Sequence, residues 1–283
     1  MIRDHVRKSI RPARIVEQTE RADRRLAEGD YQGAEQIYSE AIAEGERAFG
    51  SKSREVAHLL NNLGVVCKYL GRFRVAGRCY RRALGILSRL YGTGPADLAT
   101  LYHNLGGLEH ARGRFARGEA FARRSVALRR QQHGPHHPDV AADQAALAAI
   151  LDQLGKYDEA ECLYRRAMII FRRTYGPAHY EVAVTLNNLA ALYQARGDDA
   201  RALRYYRRAL ELKQQLLGSA HPDVAITCNN LATLYKTRGQ QAMARSLYQK
   251  ALSIFARVLG EVHPYTAVCR ENLRRLCRSE CSS

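Results

Sequence analysis

The sequence predicts an all-α fold: a right-handed α-solenoid of antiparallel helix pairs closed by a C-terminal capping helix. Three observations predict it. Asn62, Asn104, Asn188, Asn230 and Asn272 recur on a register of 42, broken only at Ala146, and each is followed by a Leu. Two glycine columns run beside them, Gly29 to Gly239 and Gly50 to Gly260, the second including Gly92. Between the glycines, apolar residues recur at helical spacing. A period of this length marks a stack of supersecondary units, so repeats are sought before any local assignment.

Each unit reads as two helices. In the fourth, Pro138 suits the first helical position, where its missing N–H costs nothing, and Asp139 sets negative charge at the positive end of the helix. Val140, Leu147, Ile150, Leu151 and Leu154 form the stripe of helix A, and Gly155 stops it. Helix B runs from about Tyr157 to Tyr175 with Ala160, Leu163, Tyr164, Ala167 and Ile170 inward. The small residues allow close approach, and Tyr38, Tyr80, Tyr164, Tyr206 and Tyr248 fill the space toward the next hairpin. The third unit has Gly118, Ala122 and Ser125 in these slots and is expected to be the loosest. No hairpin buries its apolar face alone, so stacking supplies the core.

The expected organisation is a basic tail (1–13), six hairpins (about 14–50, 53–92, 96–134, 138–176, 180–218 and 222–260) and a capping helix with a short tail (264–283). The outer positions of that last helix carry Arg270, Glu271, Arg274 and Arg275, as a solvated face requires.

Composition narrows the function. A formal charge of +17 favours acidic partners without bearing on fold. Seven cysteines without a CxxC pair suggest neither a disulfide framework nor a zinc site. Cys67, Cys228, Cys269 and Cys277 are expected to be buried, and Cys277 and Cys281 to share a helix face. The charged N-terminus lacks the apolar core of a secretory signal, and no apolar run could span a bilayer, so a cytoplasmic protein is expected. His133, His136 and His137 share a loop, but His137 belongs to a column with His179, His221 and His263, leaving too few ligands for a metal. No phosphate loop, GxSxG or HExxH is present; no enzyme and no cofactor are expected.

The stretches His221-Pro222-Asp223-Val224-Ala225, Asn229-Asn230-Leu231-Ala232-Thr233-Leu234-Tyr235 and Leu203-Arg204-Tyr205-Tyr206-Arg207-Arg208-Ala209-Leu210 resemble the tetratricopeptide repeat. The 42-residue form is similar to the repeats of kinesin light chains and related bacterial proteins. No long heptad segment precedes the repeats here, so attachment to a motor is not expected. The resemblance implies a scaffold or adaptor for partner proteins and places the second Asn of each pair on the concave surface.

A carboxamide both donates and accepts, so Asn62, Asn104, Asn188, Asn230 and Asn272 could pair with the backbone of an extended, acidic peptide. The alternative is that they bond neighbouring helices and fix the stacking. Asn61, Asn187 and Asn229 are the weaker candidates. Lys68 and Lys236 could meet carboxylates, with His110 and Gln194 at equivalent positions. At the broken rung Ala142, Ala145 and Ala149 remove bulk and could leave a groove pocket, or could serve only as good helix formers. Arg81, Arg82, Arg123, Arg124, Arg165, Arg166, Arg207 and Arg208 form a stripe on the B helices, either a polyanion or nucleic-acid surface or a solvated face. A peptide-sensing regulatory module is a further alternative.

Overall fold

The computed structural model describes residues 2–91 and 96–281, with side chains over 13–90 and 97–278. Gly92 and the side chain of Cys281 lie outside the described residues. The chain forms two compact units, 1–154 and 155–283.

The first unit contains α1 (Ile2–Ala27), α2 (Tyr31–Phe49), α3 (Arg54–Tyr69), α4 (Phe73–Tyr91), α5 (Ala96–Ala111), α6 (Phe115–His133) and α7 (Pro138–Gln153). The second contains α8 (Tyr157–Tyr175), α9 (Tyr180–Ala195), α10 (Asp199–Leu217), α11 (Pro222–Thr237), α12 (Gln241–Leu259) and α13 (Pro264–Cys281). No strand occurs among the described residues. Residues 2–13, expected as a tail, belong to α1, which begins at Ile2.

The helix ends follow from local chemistry. Nδ1 of His137, His179 and His221 accepts from the backbone N–H two residues on, at 3.1–3.3 Å. That is the physical role of the histidine column: each ring caps an A helix. At the far end of α3, Gly71 takes φ +71° while Arg72 N–H reaches the Cys67 carbonyl at 2.8 Å and Gly71 N–H reaches Lys68 at 3.1 Å. This six-to-one and inner bond pair closes the helix, and only glycine enters the left-handed region without steric cost.

Packing follows the small–aromatic–small pattern. Tyr38, Tyr80, Tyr164, Tyr206 and Tyr248 are buried, as are the alanines that flank them in each B helix. The third repeat has Ala122 where its neighbours carry tyrosine. A β-carbon on Gly118 would lie 3.3 Å from the Gly106 carbonyl oxygen, so the α5 and α6 backbones approach closely at that point. The volume that the absent tyrosine would fill remains as a cavity lined by Gly106, Ala122 and Ser125, in keeping with the looseness expected of this unit. Cys67, Cys228 and Cys269 are buried as expected, but Cys277 is exposed because the neighbouring Leu276 takes the inward position on α13. No helix among the described residues is long and apolar enough to cross a membrane.

Candidate functional site

Within the first unit α3 touches α5 and α5 touches α7; within the second α9 touches α11 and α11 touches α13. No two B helices meet to this extent among the described residues. The A helices are therefore the closely spaced layer, and their outward faces form the candidate surface of each unit.

The asparagines divide into two kinds. Asn104 Nδ2 donates to Asn61 Oδ1 at 2.7 Å, and Asn272 Nδ2 to Asn229 Oδ1 at 3.2 Å, each bond crossing to the preceding repeat. These rungs fix stacking. Asn62 accepts from Asn61 and lies within reach of the buried Tyr38 hydroxyl. Asn187 is buried, accepts from Thr227 at 3.2 Å and donates to Asn188 at 3.4 Å. Asn188 donates to no described residue, and Asn230 makes no side-chain hydrogen bond with one; both amides are half-exposed. The asparagines set aside as weaker, Asn61 and Asn229, are thus the acceptors that hold successive hairpins in register.

At the broken rung the structure assembles residues that no repeat column foretold. A cavity of about 130 Å³ lies among α5, α6 and α7, lined by His103, Gly106, Gly107, His110, Ala146 and Ala149 and floored by Ser125 and Asp143. Ala149 lines it as anticipated, whereas Ala142 and Ala145 do not. Asp143 is 2% exposed and takes three bonds: His103 Nδ1 at 2.7 Å, Ser125 Oγ at 2.6 Å and Arg129 Nε at 3.1 Å. It stands where other A helices carry Leu59, Leu101, Thr185 or Thr227, so the signal existed as a lone acid in an apolar or hydroxyl column.

Lys68 reaches from α3 toward this cavity, where a β-carbon on Gly107 would lie 3.7 Å from its Nζ. Burial lowers the Lys68 pKa. Burial, then the Lys68 charge, pushes the His110 imidazole below its ordinary value. Asp152, equivalent to Lys68 in α7, is raised by burial, and its Oδ1 has no hydrogen-bond partner. Lys236 is half-exposed on α11 and makes no ion pair with a described residue.

The arginine pairs are exposed, but much of the row is engaged. Arg82 pairs with Glu46, Arg123 with Glu119 and Arg208 with Glu211. Arg165 bonds Glu161 at 2.9 Å and the Tyr193 hydroxyl at 2.9 Å; Arg207 bonds the Tyr235 hydroxyl at 2.7 Å. These last two act as struts from a B helix to the following A helix. Arg81, Arg124 and Arg166 form no ion pair with described residues. Among the described residues no group of three His, Cys, Asp or Glu side chains is placed to hold a metal, and His133 stacks on His137 at 4.4 Å.

The family model described as tetratricopeptide repeat matches residues 19–89, 97–173, 157–215, 181–257 and 223–280. The chain belongs to the tetratricopeptide repeat family. Solved structures similar to it include BtubC (BKLC) from P. vanneervenii, 28% identical over 91% of this chain and 94% of that one, with a TM-score of 0.60. A putative kinesin light chain with nearly identical TPR-like repeats from Podosopora anserina is 20% identical, covering 73% of this chain and 98% of that one, with a TM-score of 0.60. A Rap protein complexed with Competence and Sporulation Factor is 16% identical, covering 94% of this chain and 75% of that one, with a TM-score of 0.60. The last two show the fold alone. No curated protein matches the chain in sequence.

Proposed function

We propose that this tetratricopeptide protein is a non-enzymatic scaffold that holds an extended, acidic segment of a partner protein along its A helices. The observation that carries the reading is the pair Asn188 and Asn230, one repeat apart, half-exposed, with no donated side-chain bond to a described residue. Neighbouring helices stand about 8–10 Å apart and an extended chain rises about 3.3 Å per residue, so the two amides would bond a bound backbone at about every third residue. Lys236 lies on the same helix as Asn230 and would receive a carboxylate. In the first unit Lys68 would do the same beside the α5–α7 cavity, which would take one partner side chain. Among the structural neighbours, the Rap protein is complexed with a ligand, Competence and Sporulation Factor, on the same fold.

Selection of peptides on the full chain from a random display library, followed by fluorescence anisotropy, tests this. Two lost amides remove up to four hydrogen bonds of about 0.5–1.5 kcal/mol each. Asn188→Ala with Asn230→Ala should weaken the selected peptides at least tenfold. Unchanged affinity would refute the reading.

A further inference from the structure

A second site is visible where the second repeat lacks an acid that both adjoining repeats keep. In helix B, Glu35, Glu119 and Glu161 occupy equivalent positions, with Leu203 and Arg245 in the last two repeats. Each neutralises arginine: Arg72 bonds Glu35 at 2.6 Å, Arg123 bonds Glu119 at 2.8 Å, and Arg165 and Arg196 bond Glu161 at 2.9 and 3.0 Å. In the second repeat the position is Gly77. The arginines that would have met a glutamate there are all present. Arg81 is equivalent to Arg123 and Arg165, Arg112 to Arg196, and Arg114 to Arg72. The missing side chain lets Arg81 lie back over the helix, since a β-carbon at Gly77 would be 3.1 Å from its Nη1.

These three converge with Arg74 and Arg78 of α4 and Arg117 of α6 on one cavity of about 330 Å³. The only acid in its wall is Glu109, 2% exposed. Glu109 lies 3.3 Å from Arg112 and 3.9 Å from both Arg114 and Arg117, and its buried Oε2 has no hydrogen-bond partner. Arg74, Arg78 and Arg81 form no ion pair with a described residue. Six guanidiniums against one carboxylate leave five positive charges around a single space. The turn that carries Arg112 and Arg114 is fixed by the Arg114 N–H bond to the Glu109 carbonyl at 2.8 Å.

We propose that this cavity binds a compact polyphosphate anion, two or more linked phosphoryl groups, as in pyrophosphate or the diphosphate of a nucleotide. Guanidinium forks match phosphate oxygens in pairs, and a diphosphate concentrates three or more charges in a space this small. Peptide carboxylates, one charge per residue at about 3.3 Å spacing, cannot do so. A nucleic-acid strand needs a continuous track, and the row is interrupted on either side by the Arg82–Glu46 and Arg123–Glu119 pairs. The site shares no lining residue with the α5–α7 cavity, so it stands or falls independently of peptide binding on the A helices.

The test is calorimetric titration of the full chain with pyrophosphate at fixed ionic strength. Arg78→Gln with Arg114→Gln, both at exposed side chains, should weaken binding at least tenfold. Arg166→Gln with Arg208→Gln removes the same charge elsewhere and should change it less than twofold. ADP separates the two sources: equal affinity marks an inorganic diphosphate, and at least tenfold tighter binding marks a nucleotide. The proposal is overturned if the wild type binds no pyrophosphate at millimolar concentration. It is also overturned if both double variants weaken binding equally, or if a DNA oligonucleotide binds and pyrophosphate does not displace it.

Discussion

Replacing Asp143 with Ala tests the buried polar cluster beneath the first unit's cavity. The carboxylate receives bonds at 2.6, 2.7 and 3.1 Å, and its loss takes a partner from Ser125, His103 and Arg129, although the Ser125 hydroxyl keeps the Ala99 carbonyl at 2.9 Å. Removing one member of a buried ion pair costs about 3–5 kcal/mol. Arg129 keeps Thr100 at 3.1 Å and Asp139 at 3.5 Å, which places the expected loss near the lower end, about 3 kcal/mol. Against a total of about 5–15 kcal/mol for a folded domain, urea unfolding followed by circular dichroism resolves this easily. Asp143→Asn, which keeps the shape and one acceptor, should cost about 1–2 kcal/mol. The equivalent positions of Asp143 and Arg129 in the preceding repeat are Leu101 and Leu87, both buried. Asp143→Leu with Arg129→Leu should therefore recover most of the loss, because an apolar pair replaces a charged one without leaving either charge unpaired. A loss below about 1 kcal/mol for Asp143→Ala, or a double variant no better than the single, would refute the reasoning.

A β-carbon at Gly64 would lie 2.4 Å from a ring carbon of the buried Tyr80, so Gly64→Ala should destabilise by about 1–3 kcal/mol, measured by urea unfolding, despite the helix preference for Ala. His110 has its folded pKa below the ordinary 6.5, so the folded state binds its proton less readily than the unfolded one. Stability from this group is whole above pH 6.5 and falls as pH drops through the lower folded value; His110→Gln should flatten the thermal midpoint between pH 7 and 5 relative to wild type. Cys162 and Cys277 are exposed, while burial raises Cys67 to about 12 and Cys228 and Cys269 to about 11. A thiol reagent at pH 8 should label the first two within minutes, and the buried three together with buried Cys79 only at the rate of unfolding, which mass spectrometry of quenched digests would show.

Most of the architecture was legible because its determinants are local and repeated. The left-handed turn at Gly71 and the tyrosine wedges each need one residue type at one position, and repetition makes that need visible. The column of His137, His179 and His221 was visible as a feature of the turn, but not its capping role, which Ser53 fills at the same register in α3. What escaped detection was either singular or relational. Asp143 and Arg129 occur in one repeat, so no column announced them, and their pairing depends on α6 and α7 meeting in space. The division of labour among the asparagines was hidden for a similar reason. Asn104 and Asn230 share a register, yet one is spent on Asn61 while the other bonds no described residue. Gly77 stands in a column that keeps glutamate at 35, 119 and 161 and loses it again at Leu203 and Arg245, and its consequence required Arg112 and Arg114 to be seen on the adjoining turn. In the third repeat glycine at 106 and 118 lets two backbones approach, while Ala122 in place of tyrosine leaves the cavity beside Asp143.

Side-chain amide resonances of the asparagines, recorded by ¹⁵N-edited NMR with and without a selected peptide, probe the binding surface residue by residue. If the exposed amides of the A helices grip a partner's backbone, the Nδ2 signals of Asn188 and Asn230 shift on saturation while those of Asn104 and Asn272, already committed to Asn61 and Asn229, stay in place. Saturation of the peptide with the Asn188 and Asn230 signals unmoved would contradict it.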